Sequence, residues 1–250
     1  YEIDNLKEVN YFAQSYFNSN LIFSNKKIYV QVAYKDIFLK EKESFINYFN
    51  RKSQLRVDIQ KYTLAGSINF TSLFANFPQN YRLGNFYGDF HSYRTVVKNN
   101  IVVSFPFSDT IYIYSDTNIL KKVCFSPSKK PNFLPSDLSK TTDLAYQLKH
   151  KIESPYYEGL YYDQYREVFY RILKEKASYN ENNKMIRRET NLNWTLIIYS
   201  KDFQYLKEVE MDPKIFSSYR LFSLKDNILF MAPIDSCLKS ESIKLKITQL

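Results

Sequence analysis

The sequence predicts an all-β protein: a β-propeller, or an incomplete ring of about four four-stranded antiparallel blades, with short helical inserts. Three observations lead there. Tyr and Phe number 23 and 20 in 250 residues, and aromatic side chains favour pleated, half-buried strands. A hairpin-like unit recurs along the chain. The strands of that unit are apolar or aromatic on both faces, as layers packed between neighbours require.

The repeat is read from four segments: "LIFSNKKIYVQVAY" at 21–34, "TVVKNNIVVSFPF" at 95–107, "LYYDQYREVFYRI" at 160–172 and "LFSLKDNILFMAPI" at 221–234. Each is an apolar run, a short polar break and a second apolar run. The second runs begin near Ile28, Ile101, Val168 and Ile228, at spacings of 73, 67 and 60 residues. Two copies, "SYRTVVKNNIVVSFP" and "SYRLFSLKDNILFMAP", differ by one inserted residue in the break. Asn, Asp, Lys and Ser in the breaks suit tight turns. With only 4 Gly in the chain, Asn and Asp are expected at the positive-φ turn positions.

The blade-like units fall at about 19–77, 91–127, 155–213 and 216–250 within one domain of 1–250. The first contains a helical or irregular insert at 42–52. The second adds "TIYIYSDTNILKKVCF" to its hairpin and leads into a possible helix at 136–151, with Ser136 and Ser139 as candidate N-caps. The third closes with "TLIIYSKDFQYLKEVEM" at 195–211 after a polar insertion. In its first hairpin, Val168, Tyr170 and Ile172 share one face, and Phe169, Arg171 and Leu173 the other. An i, i+4 rhythm through Tyr161, Tyr165, Phe169 and Leu173 also fits a helix. The repeat decides for strands, because the same slot elsewhere holds "VKNNIVVSFP", a poor helix former. The last unit is short, which suggests closure by a strand from the N-terminal side.

The net charge is +9, but the basic residues are scattered through turns and form no stripe or motif. No nucleic-acid partner is expected. Cys124 and Cys237 lack CxxC spacing and sit in apolar runs, so both read as buried, reduced thiols. No apolar run reaches the ~18 residues of a membrane span. The chain begins with Tyr1 and has no signal peptide, so it reads as a processed or trimmed chain.

"PYYEGLYYDQYREVFYRI", "NWTLIIYSKDFQYLKEVEM" and "LFSLKDNILFMAPI…KLKITQL" resemble a family of Bacteroidetes propeller-like lipoproteins built on a domain of unknown function. The resemblance is best over 92–250, and "YYDQYREVFYRI" is its most specific part. It implies an exported protein of the periplasm or outer membrane, joined to the membrane only through an N-terminal lipid anchor missing from this sequence. It supplies no catalytic residues.

The chemistry-bearing motifs are few. His91 and His150 have no partner at metal-ligand spacing, so no metal is expected. The few glycines make a phosphate-binding loop or nucleophile elbow untenable, and no cofactor is expected. Asp89, Glu158 and Asp163 are candidate carboxylates near hairpin ends. As glycoside-cleaving acids they would have to lie ~5–10 Å apart. His91 beside Asp89 reads as a surface hydrogen bond. The recurring "SYR" places Tyr93–Arg94 and Tyr219–Arg220 at equivalent strand starts, with Tyr161–Tyr162 as the third copy and Asp163 at its turn. These residues, with His91, are the candidate ligand contacts. The guanidiniums would grip an anion or pair with carboxylates of neighbouring strands. The expected function is non-catalytic: a scaffold presenting one face to a glycan, peptide or protein partner. The alternative is a carbohydrate-active enzyme with acidic residues at the channel mouth.

Overall fold

Pairing between strands close in sequence builds every sheet of the protein. The computed structural model describes residues 11–14, 22–24, 26–34, 42–58, 70–83, 85, 87, 91–115, 120–125, 131–140, 143–180, 192–218, 221–231 and 245–248. The chain divides into two compact units, one running to Val123 and one taking up nearly all that follows.

The first unit opens with β1 (Tyr11–Gln14), β2 (Ile22–Ser24) and β3 (Lys27–Tyr34). Helix α1 (Lys42–Phe49) leads into β4 (Lys52–Asp58) and β5 (Phe70–Asn76). These strands form a five-stranded antiparallel sheet of order β1-β3-β4-β5, with β2 also on β3. β3 is eight residues long and hosts two short strands, β1 against Gln31–Tyr34 and β2 against Lys27–Tyr29. A short helix, α2 (Gln79–Arg82), follows. Then β6 (Tyr93–Val97), β7 (Asn100–Ser104), β8 (Thr110–Tyr114) and β9 (Leu120–Phe125) form a four-stranded meander.

Aromatic packing fills this unit. Phe49 meets Tyr48, Phe77 and Tyr81 edge to face at centroid distances of 5.0, 5.0 and 5.3 Å, the geometry that ring quadrupoles favour. Phe77 extends the cluster to Phe105. A buried polar chain joins the two sheets. Ser92 donates its N–H to Gln31 Oε1 at 2.6 Å, Gln54 Nε2 donates to Ser92 Oγ at 2.8 Å, and Arg94 Nη1 donates to Gln54 Oε1 at 3.0 Å.

In the second unit, helix α3 (Leu144–Glu153) begins at Asp143, whose carboxylate accepts from the N–H groups of Ala145 and Tyr146. Asp143, rather than Ser136 or Ser139, is therefore the cap. A short 3₁₀ turn, Leu138–Lys140, precedes it. β10 (Tyr156–Asp163), β11 (Val168–Lys174), β12 (Trp194–Ser200) and β13 (Tyr205–Met211) make the second four-stranded meander. β14 (Leu221–Ser223), β15 (Ile228–Met231) and β16 (Leu245–Thr248) make a three-stranded sheet.

Strand alternation sorts the side chains of the meander as its sequence implies. Tyr170 and Ile172, with Trp194, Leu196, Ile198 and Met211, pack against Leu221 and Ile228 of the three-stranded sheet. Val168 and Tyr161 border the same core. The Trp194 indole N–H is satisfied by the Phe216 carbonyl at 3.1 Å.

The all-β class stands, but the propeller does not. A ring of like blades repeats one four-stranded unit. Among the described residues the sheets have five, four, four and three strands, and none closes into a barrel. The expected closing strand is absent from the last sheet among the described residues, because β1 pairs with β3 instead. The sequence repeat reports the hairpin, which any antiparallel meander shares; it carries no information on closure. Cys124 lies in β9, but its side chain and all of Cys237 are outside the described residues.

The glycine-poor turns also differ from expectation. Lys26, Ala75, Lys98, Glu167 and Phe203 hold positive φ, and none is Asn or Asp. Lys98 sits at the first position of the two-residue turn closed by Val97 and Asn100, with φ 56°. A type II′ hairpin normally places Gly there.

Two outcomes follow from this packing. Lys98 is exposed, so Lys98→Gly removes left-handed strain at the cost of chain entropy. It should leave stability equal or raise it by up to ~1 kcal/mol, read by chemical denaturation. Tyr170 is 1% exposed within the core, so Tyr170→Ala should destabilise the protein by ~3–5 kcal/mol. An unchanged melting temperature would place its ring outside the core.

Candidate functional site

Two hairpin tips meet at one end of the β10–β13 meander. The first spans Asp163 to Val168, which pair across the strand ends. Asp163 organises it. Its Oδ1 accepts from the N–H groups of Tyr165 (2.9 Å) and Arg166 (3.1 Å). Its Oδ2 accepts from Arg166 Nη1 at 2.8 Å and from the Tyr170 hydroxyl at 3.1 Å. Arg166 Nη1 also reaches the Leu224 carbonyl at 3.1 Å. Burial of Asp163 opposes ionisation, but these donors together outweigh it and hold the carboxyl below its ordinary pKa. Burial, then the Asp163 charge and the bond to it, push the Tyr170 hydroxyl well up.

The second tip is the three-residue loop 201–203. Ser200 fastens it: its N–H donates to the Gln204 carbonyl, its carbonyl accepts from the Phe203 N–H, and its Oγ accepts from the N–H groups of Asp202 and Gln204. Phe203 takes the left-handed position at φ 62°, and Glu167 takes it in the first tip at φ 51°. Three-residue hairpin loops usually place Gly there. Phe203 instead lays its ring on Phe169, with centroids 4.3 Å apart and planes within 24°.

Register then builds an aromatic row. Tyr162 lies opposite Phe169, Phe169 opposite Tyr199, and Tyr199 opposite Tyr205. The inner two rings are buried; Tyr162 and Phe203 are partly exposed and Tyr205 is 44% exposed. Beside the row, Lys201 Nζ and Glu167 Oε2 form an exposed ion pair at 2.7 Å. The bond to Glu167 raises the Lys201 pKa. The Tyr162 pKa is raised by partial burial and by Glu167, against the opposing pull of Lys201.

A second polar cluster lies within the same unit. A bulge between Tyr157 and Gly159 frees Glu158 from the regular register, and bulges re-aim side chains in this way. The Ser218 hydroxyl donates to Glu158 Oε2. Lys174 Nζ donates to Ser218 Oγ at 3.1 Å and lies 3.9 Å from the Glu158 carboxylate. All three side chains are buried. Lys174 also donates to the Leu192 carbonyl at 3.4 Å. The cluster reads as an internal ion pair bridged by a hydroxyl.

The sequence-predicted residues scatter across this arrangement. Tyr162 and Asp163 are at the tip. Tyr161 faces the opposite side of the sheet, against the hydrophobic core. Tyr93 and Arg94 are buried at the start of β6 in the first unit, where Arg94 binds Gln54 and burial lowers its pKa to about 10. His91 is partly buried just before them. Tyr219, Arg220 and Asp89 are outside the described residues. Glu158 and Asp163 lie five residues apart on β10, each bound to donors of its own. Among the described residues, no group of His, Cys, Asp and Glu is placed to hold a metal, and no helix is long and apolar enough to cross a membrane. Phe203, Lys201 and Glu167 escaped the sequence reading. The "IYSKDFQY" turn was visible, but nothing in it signals a bulky residue at positive φ.

Residues 1–210 match the family described as Domain of unknown function (DUF4221). The chain belongs to the DUF4221 family. The match reaches further toward the N-terminus than the 92–250 region of the sequence resemblance. A solved structure of a DUF4221 member from Bacteroides vulgatus is similar in fold, with a TM-score of 0.62 at 14% identity. The likeness covers 93% of this chain and 64% of that one, so this chain spans under two thirds of that relative's length. No curated protein matches.

The Asp163 hub of this DUF4221 protein gives a pH expectation. The folded carboxyl has a lower pKa than the unfolded one, so its stabilisation is complete above the unfolded value of roughly 4. It is lost as pH falls from there through the folded value. Asp163→Asn should therefore melt below the parent at pH 7, with the gap narrowing as pH drops under about 4. A gap that stays constant down to strongly acidic pH would show that the charge of Asp163 is not what stabilises the tip.

Proposed function

We propose that this DUF4221 protein is a non-catalytic binding or scaffold protein of the bacterial cell envelope that presents the two hairpin tips to a glycan, peptide or protein. The observation that carries this reading is the contrast between its carboxylates and its aromatics. Asp163 accepts four internal hydrogen bonds, and Glu158 is held by Ser218 beside Lys174. Both carboxylates are tied to internal donors. Tyr162, Phe203 and Tyr205 keep ring surface open to solvent at the same end. Open aromatic surface with a few fixed polar groups suits binding. The resemblance to envelope lipoproteins supports an exported location with an N-terminal lipid anchor.

The test is a thermal-shift screen against oligosaccharides and peptides, run beside chromatography of each oligosaccharide after long incubation. A ligand at about a hundred times its Kd should raise the melting temperature by ~5–10 °C, with no shortened product. Cleavage of any oligosaccharide by the purified protein, lost on substitution of a carboxylate, would overturn the reading in favour of an enzyme.

A further inference from the structure

We propose that the hairpin-tip face binds neutral pyranose rings, with Tyr162, Phe203 and Tyr205 as the stacking surface and the Lys201–Glu167 pair as the hydroxyl-reading edge. The assignment rests on the binding reading above and names its ligand class.

The row runs across the sheet from Tyr162 to Tyr205, three strand spacings or roughly 14 Å, long enough for a short oligosaccharide. A pyranose has C–H groups on a face and hydroxyls around its rim. The C–H face suits an aromatic ring, whose π surface is electron-rich. Each hydroxyl both donates and accepts. The rim therefore suits a site with both kinds of group side by side. Here the Glu167 carboxylate accepts and the Lys201 ammonium donates, 2.7 Å apart and both over half exposed.

Charge narrows the class. Lys201 is already neutralised by Glu167, and Asp202 adjoins it on the exposed loop. An anionic sugar or nucleic acid would find both cations of the tips, Lys201 and Arg166, already paired with carboxylates. A proline-rich peptide also stacks on aromatic grooves, but it brings mainly carbonyl acceptors and offers the Glu167 carboxylate no donor beside the one Lys201 already supplies. The backbone supports the same choice. Glu167 and Phe203, one from each half of the proposed site, are both held at positive φ. A bulky residue there is an outlier, and Gly would hold either turn with less strain. What Gly lacks is the carboxylate and the ring.

The experiment titrates the protein with maltohexaose, cellohexaose, xylohexaose and mannohexaose, and in parallel with polygalacturonate and a proline decamer. Variants Phe203→Gly, Tyr205→Ser and Glu167→Gln accompany the parent. Tyr205 is exposed and Phe203→Gly relieves backbone strain, so both should keep the parent's circular dichroism. Expected is binding of at least one neutral hexasaccharide, weakened roughly tenfold or more in Phe203→Gly and in Tyr205→Ser, with a smaller loss in Glu167→Gln. Neutral-sugar binding untouched by all three variants would overturn the assignment and leave the binding reading intact. So would binding of only the polyuronate or the proline peptide. Failure of the parent to bind any probe would count against both.

Discussion

Burial of β10, β11 and β12 takes the polar side chains that enter them out of water, and groups inside the protein must stand in for it. Leaving one unpaired would cost several kcal/mol. Three solutions recur in the second unit. Asp163 gathers two backbone N–H groups, a guanidinium and a phenol. Glu158, freed by the bulge, takes the Ser218 hydroxyl beside Lys174. Trp194 passes its indole N–H to a loop carbonyl. The donors to Asp163 fix the turn at 164–167 and hence which side chains stand at that end of the sheet.

The first unit meets the same demand mostly with uncharged groups. Gln31, Ser92 and Gln54 form a chain of hydrogen bonds that ends on Arg94. Arg94, which the sequence offered either as an anion grip or as a partner for neighbouring carboxylates, donates to a glutamine amide within the core. Its pKa of about 10 still leaves it charged at neutral pH. A buried guanidinium of this kind specifies one arrangement of its neighbours more than it adds stability.

Local pattern was legible; long-range geometry was not. The alternation that put Val168, Tyr170 and Ile172 on one face is a property of any strand, and the core confirms it. The same alternation separates Tyr161 from Tyr162, which sequence treated as one unit. Asp163 was placed at its turn correctly, but its four donors, two backbone N–H groups and a guanidinium of the turn and a phenol on the next strand, meet only in the folded geometry. The propeller was inferred from a repeat of hairpins, and nothing in a hairpin fixes how many strands join its sheet. Gln31 and Ser92 meet across 61 residues, which no local window relates. Gly159 was the one visible sign of the bulge. A Cβ there would lie 2.6 Å from the Tyr161 ring, so the position excludes a side chain for a reason of packing.

The substituted turns have an evolutionary side. In a glycine-rich hairpin, replacing the Gly at a left-handed position brings both strain and a new side chain, so most changes are rejected. Here Lys98, Glu167 and Phe203 already carry that strain. Exchanging one such residue for another alters backbone energy little and changes only the chemistry shown at the tip. Hairpin ends of this kind can drift from cationic to acidic to aromatic over a fixed sheet, so that chains of one fold can differ in the chemistry their tips show.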